Sequence, residues 1–379
     1  MKHIFWCIQQ LDRVGGTEAV SITIANELVN RYDVTLVVTA KSEKSVFQID
    51  PRIKIYSLGV DPKITKFDES SQYDISHFKF GKYIKLVNST ASAYVYKRNK
   101  YRNQLQKLLD DNPDSLMICS SLDNYLYAPK RGKVFFHFHF DGKHYCSLMN
   151  KFSLGIARKP DKNIFLTKAT LEYVTKRKKS LKKNSVYIYN PVKFEPQLDL
   201  NYYNNTIIFV GRFANQKNPI LALEVALELK KANFPYHLNM YGSGPLEKEM
   251  RDFVMRHNLE DNVTITINHP ITKEDYLHSD LQIITSRYEG FVLVKGEANV
   301  LSTPTISTML GEQTYEQFNE GKDGFVIKSN KAKDMAVKIM EVLSDKDKLI
   351  ELKKSSYEQG KKLVKENIIS KWINLIENS

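Results

Sequence analysis

A chain of 379 residues, 42% hydrophobic and 26% charged, is globular in composition and too long for one ordinary core, so two domains of roughly 150–200 residues each are expected. Ile, Leu, Val, Phe and Tyr recur throughout, which excludes disorder, and no apolar run nears the roughly 18 residues that a membrane span requires. The formal net charge of +13 calls for an anionic partner: nucleic acid, acidic lipid or a phosphorylated substrate.

The opening run MKHIFWCIQQLDRVGG turns polar too soon for a signal peptide and reads as a first strand at 3–8. A helix over 18–29 and a strand at 34–39 follow. Between Asp74 and Asp110 there is no acidic residue, but Lys79, Lys82, Lys85, Lys97, Arg98, Lys100, Arg102 and Lys107 are present. Val87, Ala91, Tyr94, Tyr101, Leu105 and Leu108 recur there at three-to-four spacing, the pattern of an amphipathic basic helix over roughly 82–109. Strands at 116–119, 134–138 and 163–166 and a helix over 168–175 complete the first half. A second basic cluster follows, Lys176 to Lys179 (with Arg177) and then Lys182 and Lys183. Three cysteines, Cys7, Cys119 and Cys146, lie far apart in apolar settings, which suits a reducing, cytoplasmic compartment and no metal site.

The polar stretch 190–205, with Pro191 and Pro196, reads as an interdomain linker. Strands at 206–210, 237–241, 263–267, 281–285 and 305–307 then alternate with helices over 219–231 and 246–257. From Ala332 the tail is helical, with Trp372 and Ile376 as anchors. Alternation of short apolar runs with helical patterns is the signature of βα repeats on parallel sheets, whose ligands sit in the loops after the strands.

Four of those loops carry residues suited to chemistry. Asp12 to Glu18 holds Gly15 and Gly16 ahead of a helix, where backbone N–H groups and the helix dipole favour an anion; the same pair also suits a tight turn with no ligand. The pattern is not GxGxxG, which disfavours a dinucleotide dehydrogenase. Gly211 to Lys217 presents Arg212 and Lys217 at a strand end, a forked and a point cation for a diphosphate, or else a solvated basic loop. Gly242 and Gly244 form another glycine turn. Glu289-Gly290-Phe291-Val292-Leu293-Val294-Lys295-Gly296-Glu297 follows a strand, with a helix starting near Leu293. The N–H groups of Gly290, Phe291, Val292 and Leu293 would be free for a phosphate, and Glu289 and Glu297 would accept from sugar or ribose hydroxyls.

In this order the features resemble the retaining GT-B glycosyltransferases of family 4, with the E-x7-E motif at Glu289 and Glu297. The G-R-x4-K loop at Gly211–Lys217, the turn at Gly242–Gly244, Thr303-Pro304, Gly321-x-x-Gly324 and the Gly15-Gly16 loop all match. The resemblance spans essentially the whole chain and is strongest over 207–327. It implies an α/β GT-B fold, two Rossmann-like doubly wound domains facing across a cleft. Residues 1–190 would bind acceptor, 191–205 link, and 206–355 bind the nucleotide sugar, while 356–379 pack back on the first domain. It also implies that Arg212 and Lys217 bind the donor diphosphate, that Glu297 binds ribose, and that Glu289 with Gly290 and Phe291 contacts sugar hydroxyls and the β-phosphate. Gly15 and Gly16 would close over the phosphates, and Asn268 and His269 would lie in the nucleobase loop. A histidine at the end of a first-domain strand would lie near the transferred sugar. His139 fits that place, with His137 as a core residue beside it. Four places depart from the family pattern: Ser302 for a glycine, Gly311-Glu312 for Gly-Gly, Lys295 in an apolar helix position, and no glycine in 267–270.

The resemblance further implies a nucleotide diphosphate sugar as donor, a uridine diphosphate sugar by preference, and neither metal nor other cofactor. A glycan or lipid-linked glycan of capsule, exopolysaccharide or cell wall would be the acceptor. The basic segments 79–109 and 176–183 suit an anionic membrane at the inner leaflet, or the apolar stripe of the former packs on the core. Nucleic acid is disfavoured, because no helix-turn-helix, zinc-finger or RNA-recognition signature accompanies the charge. Another GT-B enzyme, a nucleotide-sugar epimerase or an inverting transferase, is the alternative.

Overall fold

The computed structural model describes residues 1–12, 15–40, 44–60, 99–139, 146, 158–311 and 315–379. They form two compact units, Met1–Phe165 with Val174–Tyr187, and Leu166–Tyr173 with Ile188–Ser379. The first holds a seven-stranded sheet of β1 (His3–Ile8), β2 (Asp33–Ala40), β3 (Lys54–Val60), β4 (Leu116–Cys119), β5 (Lys133–Phe138), β6 (Lys162–Phe165) and β7 (Ser185–Tyr187). Its order is β3-β2-β1-β4-β5-β6-β7, and neighbouring strands run parallel. Central strands of such a sheet are covered on both faces, so they read as unbroken apolar runs. FWCI of β1 and LMIC of β4 are wholly buried, with Cys7 in register between Val37 and Cys119.

The second unit repeats the design with β8 (Thr206–Val210), β9 (His237–Gly242), β10 (Val263–Ile267), β11 (Leu281–Ile284), β12 (Thr305–Thr308) and β13 (Gly324–Ile327). Their order is β10-β9-β8-β11-β12-β13, again parallel. In both sheets the strand order reverses beside the first strand, between β1 and β4 and between β8 and β11. That switch point opens a crevice at the strand C-termini, the usual ligand position in such sheets. Both units are thus Rossmann-like and doubly wound, as expected from the sequence.

Three strands escaped the sequence reading: β3, β7 and β13. All three are sheet edges, where one side is open and apolar continuity breaks down. Ile55 in β3, for instance, is 53% exposed.

Residues 191–205 do more than link. Val192 is fully buried and donates its N–H to Leu363 O, Gln197 N–H donates to Val300 O, and Asp199 N–H donates to Ser302 Oγ. Phe194 packs edge-on against Tyr276, so this stretch is part of the second unit's core. The helices Ala332–Leu343, Lys346–Gly360 and Lys365–Glu377 belong to the same unit, and Trp372 and Ile376 are both fully buried.

The two basic segments differ. Residues 79–98 lie outside the described residues. In the helix over 99–110, Tyr101, Leu105 and Leu109 are buried, and Tyr101 packs against Tyr127. Arg102, one of the cations of the acid-free stretch, is buried, donating to the carbonyls of Leu126 and Ala128. For this part the apolar stripe is core. Lys176, Lys179, Lys182 and Lys183 are exposed. Among the described residues no helix is long and apolar enough to cross a membrane.

Candidate active site

At the second switch point the loop after β8 carries Gly211, Arg212 and Lys217. Phe213, fully buried, anchors it, with its N–H on Ser243 O and its carbonyl accepting from Leu246 N–H. The loop ends at Asn218, in the left-handed region, and Pro219 starts the helix Pro219–Lys231, where a missing N–H costs nothing. The loop after β11 is stitched to it: Thr285 Oγ1 donates to the carbonyls of Lys217 and Asn218, and Arg287 N–H donates to Gln216 O. Across this seam Lys217 Nζ meets Glu289 Oε1 at 2.6 Å, joining residues 72 apart in sequence. The carboxylate is 8% exposed and the ammonium 22%, so the pair is sheltered but reachable. Arg212 is exposed and makes no ion pair among the described residues. One cation is therefore held against a carboxylate and the other stands open, at the place where β8 and β11 part.

The turn after Glu289 leads into the helix Leu293–Val300. The expectation of four free N–H groups there is corrected for two of them. Val292 donates to Gln317 Oε1 at 2.9 Å and Leu293 to Phe291 O at 3.1 Å. Gly290 and Phe291 have no backbone acceptor among the described residues. Glu297, in the following turn of the helix, is buried and accepts from Tyr276 Oη at 3.1 Å. Burial raises its carboxyl pKa, against the opposing pull of Lys193 and the Tyr276 hydroxyl. Lys295, out of place in an apolar helix, is itself buried, with its ammonium 2.8 Å from Asp323 Oδ2. Burial lowers the pKa of this lysine and Asp323 opposes the shift.

Gly242 and Gly244 serve packing. A Cβ on Gly242 would lie 2.0 Å from Gly211 O, and one on Gly244 2.4 Å from Phe213 O. Their bareness lets two loops interleave, and it need not signal a ligand. Beyond β10, Asn268 takes the left-handed conformation (φ 55°), and so does Ser302 (φ 55°). Ser302 and the loop 267–270 are two of the places where the resemblance called for glycine, and at Ser302 and Asn268 the backbone keeps a glycine-like conformation with a polar residue in it, while Glu312 lies outside the described residues. His269 packs at a tilt against Tyr241 and bonds Asp275 Oδ2 at 2.8 Å. Burial alone would raise the Asp275 pKa, but hydrogen bonds from Thr272 and His269 outweigh it and lower it. The Tyr241 phenol is pushed up to about 12 by burial and then by Asp275.

In the first unit, Gly15 is the extended residue before the helix Gly16–Leu28, and Gly16 opens that helix. Glu18 folds back over the turn: a Cβ on Gly15 would meet its Oε2 at 2.3 Å. Glu18 is buried, and burial raises its carboxyl pKa. His139, just past β5, is half-buried, and its Nε2 lies 3.1 Å from Nδ1 of the buried His137. Burial holds the His139 pKa down at about 3, and burial with the neighbouring His139 holds His137 well below its ordinary value. Both rings are neutral at pH 7, so one donates and the other accepts.

Sequence reasoning missed Tyr276, Gln317 and Asp323. Tyr276 sits in a helix that Thr272 opens with a capping box, a readable signal, but nothing local ties its hydroxyl to Glu297. Gln317 carries no signal in its neighbourhood. The buried Lys295 was the one clue that an acid such as Asp323 had to exist, since an unpaired buried ammonium is prohibitively costly.

Residues 193–362 match the family described as Glycosyl transferases group 1. Over 383 aligned positions the chain is 24% identical to an uncharacterized glycosyltransferase of Haemophilus influenzae, covering 99% of this chain and 100% of that protein. It is 25% identical over 291 positions to the poly(ribitol-phosphate) alpha-N-acetylglucosaminyltransferase of Staphylococcus aureus, covering 72% of this chain and 57% of that protein. Among solved structures it resembles S. aureus TarM, crystallised with fondaparinux, alpha-GlcNAc-glycerol and UDP, at a TM-score of 0.74 and 18% identity over 99% of this chain and 100% of that one. Anabaena HepE in complex with UDP superimposes at a TM-score of 0.70 and 15% identity, over 100% of both chains. Domain and fold together support a GT-B glycosyltransferase.

Proposed function

We propose that this GT-B chain is a retaining glycosyltransferase that moves a hexose or N-acetylhexosamine from a uridine diphosphate sugar to a glycan or lipid-linked glycan of capsule, exopolysaccharide or cell wall. The observation that carries the reading is the seam between the loops after β8 and β11. It brings Lys217 and Glu289 to 2.6 Å and leaves Arg212 exposed beside them. A diphosphate is met by a fork of guanidinium N–H groups, a sheltered ammonium and the N–H groups of Gly290 and Phe291. Glu289 keeps acceptor capacity for the hydroxyls of the sugar, and Glu297 does so for those of ribose. The UDP held by TarM and HepE, and the poly(ribitol-phosphate) and amylovoran named for two relatives, support the donor and acceptor classes.

In the reaction the bond between the anomeric carbon and the β-phosphate oxygen breaks while the acceptor oxygen bonds to that carbon on the same face. The acceptor proton passes to the departing phosphate oxygen. Charge grows on the diphosphate as the bond loosens, and Arg212 and Lys217 neutralise it in place, so the catalytic effect is electrostatic preorganisation with positioning. His139, neutral at pH 7, serves as a hydrogen-bonding group near the transferred sugar and supplies no proton.

A thermal-shift screen of UDP-, GDP- and ADP-sugars identifies the donor, and NMR of the product's anomeric carbon reads retention or inversion. With that donor, Arg212→Ala should lower turnover about a hundred- to a thousand-fold, because an exposed cation aimed at developing charge acts in the transition state and not in the fold. Its melting temperature should match that of the parent. A near-normal turnover would sink the assignment, and an inverted product would reassign the mechanism.

A further inference from the structure

The four N–H groups at the turn before the helix Leu293–Val300 are not equivalent, and the difference lies in one side chain outside the motif. Gln317 Oε1 takes the Val292 N–H at 2.9 Å, while Gly290 and Phe291 keep theirs without a backbone acceptor among the described residues. Gln317 closes the short 3-10 turn Tyr315–Gln317, and that turn is fastened to the same helix further on. Phe318, next in the chain, is buried beneath the Lys295 ammonium, 4.9 Å from its ring centroid. Lys295 in turn reaches Asp323 at 2.8 Å, and Asn299, one helical turn on, donates to the same carboxylate oxygen at 3.2 Å. The other oxygen of Asp323 accepts the Asn319 N–H at 2.9 Å, closing the loop back on itself. Both charged side chains are at most 2% exposed. A buried ion pair contributes little net stability, since desolvation offsets attraction, but it does enforce one register between the pieces it joins.

We propose that Gln317 is a positioning residue of the donor site: by holding the Val292 N–H it leaves the Gly290 and Phe291 N–H groups to the outer phosphate of a nucleoside diphosphate, with the Lys295–Asp323 pair keeping its turn in register. This rests on the reading of the site given above. It assigns a role to Lys295, one of the residues that depart from the resembling family, and to a glutamine that carries no chemistry of its own. The contact acts on the outer phosphate alone, so it separates a diphosphate from a monophosphate. A merely structural role would weaken both alike.

The test is calorimetric titration of UDP and UMP into the wild-type chain, Gln317→Ala and Gln317→Glu, with melting temperatures alongside. Gln317→Ala should weaken UDP about five-fold, the scale of one hydrogen bond, and leave UMP within about two-fold of the wild type. Gln317→Glu keeps an acceptor for the Val292 N–H but sets a carboxylate near the phosphate. It should therefore fold like the parent and lose more UDP affinity than the alanine variant, again sparing UMP. Unchanged UDP affinity in both variants, or equal weakening of UDP and UMP, overturns the role of Gln317. A wild-type chain that binds neither nucleotide overturns the reading of the site itself, and the inference with it.

Discussion

The two units share a strand order and invert its use. In the first, the glycine is open and the ionisable groups are shut in. A Cβ on Gly16 would meet no atom within 4 Å among the described residues, whereas Glu18 and His137 are buried and His139 is half-buried. In the second, the glycines of the turn after β9 are packed and the two cations of the loop after β8 are presented: Gly242 and Gly244 touch backbone, while Arg212 is exposed and the Lys217 side chain is 22% exposed. A glycine after a strand is thus ambiguous evidence of a ligand. What separates the cases is whether the space of the missing side chain already belongs to the protein.

The largest effect that can break this comparison is on the packed side. Gly242→Ala places a methyl 2.0 Å from Gly211 O and 2.9 Å from Phe213 Cε1, and neither the backbone nor a fully buried ring can yield cheaply. A loss of about 3 kcal/mol in chemical denaturation is expected, the upper end for overpacking. Donor affinity per folded molecule should change far less. If the variant kept full stability and lost donor, Gly242 would belong with the open glycines and the inversion would fail.

The shut-in groups of the first unit give a second handle, through pH. His139 is held at about 3 by burial, against 6.5 for a free histidine. Between those values the unfolded chain binds a proton that the folded chain refuses, so stability falls as pH drops below about 6.5 and the loss is complete only below about 3. For His139 alone this amounts to about 2 kcal/mol at pH 5. His137, also held low, adds to it in the same direction. Denaturation at pH 7 and pH 5 should show His139→Asn losing less stability over that interval than the parent. Equal losses would mean that the ring is already protonated or solvated, and the picture of neutral, buried groups would go.

These cases also mark how far the sequence could be read. The central strands were legible to the residue, as at 3–8, 116–119 and 206–210, because burial on both faces leaves an unbroken apolar run; the edge strand at 263–267 was legible from its alternation of Val and Ile with Thr. Edges β3, β7 and β13 were not, since one open side lets polar residues in. Within the candidate site, Arg212, Lys217, Glu289 and Glu297 were named from loops that follow strands, and the fold gathers the first three at one seam. The Val292 and Leu293 N–H groups were misjudged because their partners are Gln317, remote in sequence, and Phe291, whose carbonyl turns back in a way no spacing reveals. Arg102 was grouped with the other cations of the basic segment because a guanidinium that feeds buried carbonyls looks, in a sequence, like any other basic residue. Local chemistry was readable; what a side chain is used up by was not.

The smallest expected effect is the sharpest test of the open side. Gly16 is exposed, opens the helix Gly16–Leu28, and would place an alanine methyl in empty space. Alanine is the better helix former by about 1 kcal/mol in a helix interior and by less at the first position, so Gly16→Ala should melt at or slightly above the parent temperature. If the turn exists to let a phosphate approach the backbone, the methyl occupies the ligand's place and not the protein's. The donor KM should then rise several-fold, about 1 kcal/mol, with the fold intact. Gly15→Ala is the matching control, because its methyl would strike the carboxylate of Glu18, the free end of a side chain that can swing aside. A Gly16→Ala enzyme with unchanged KM and unchanged stability would make the first turn a plain strand-to-helix connection. All of the donor chemistry would then rest on the second unit.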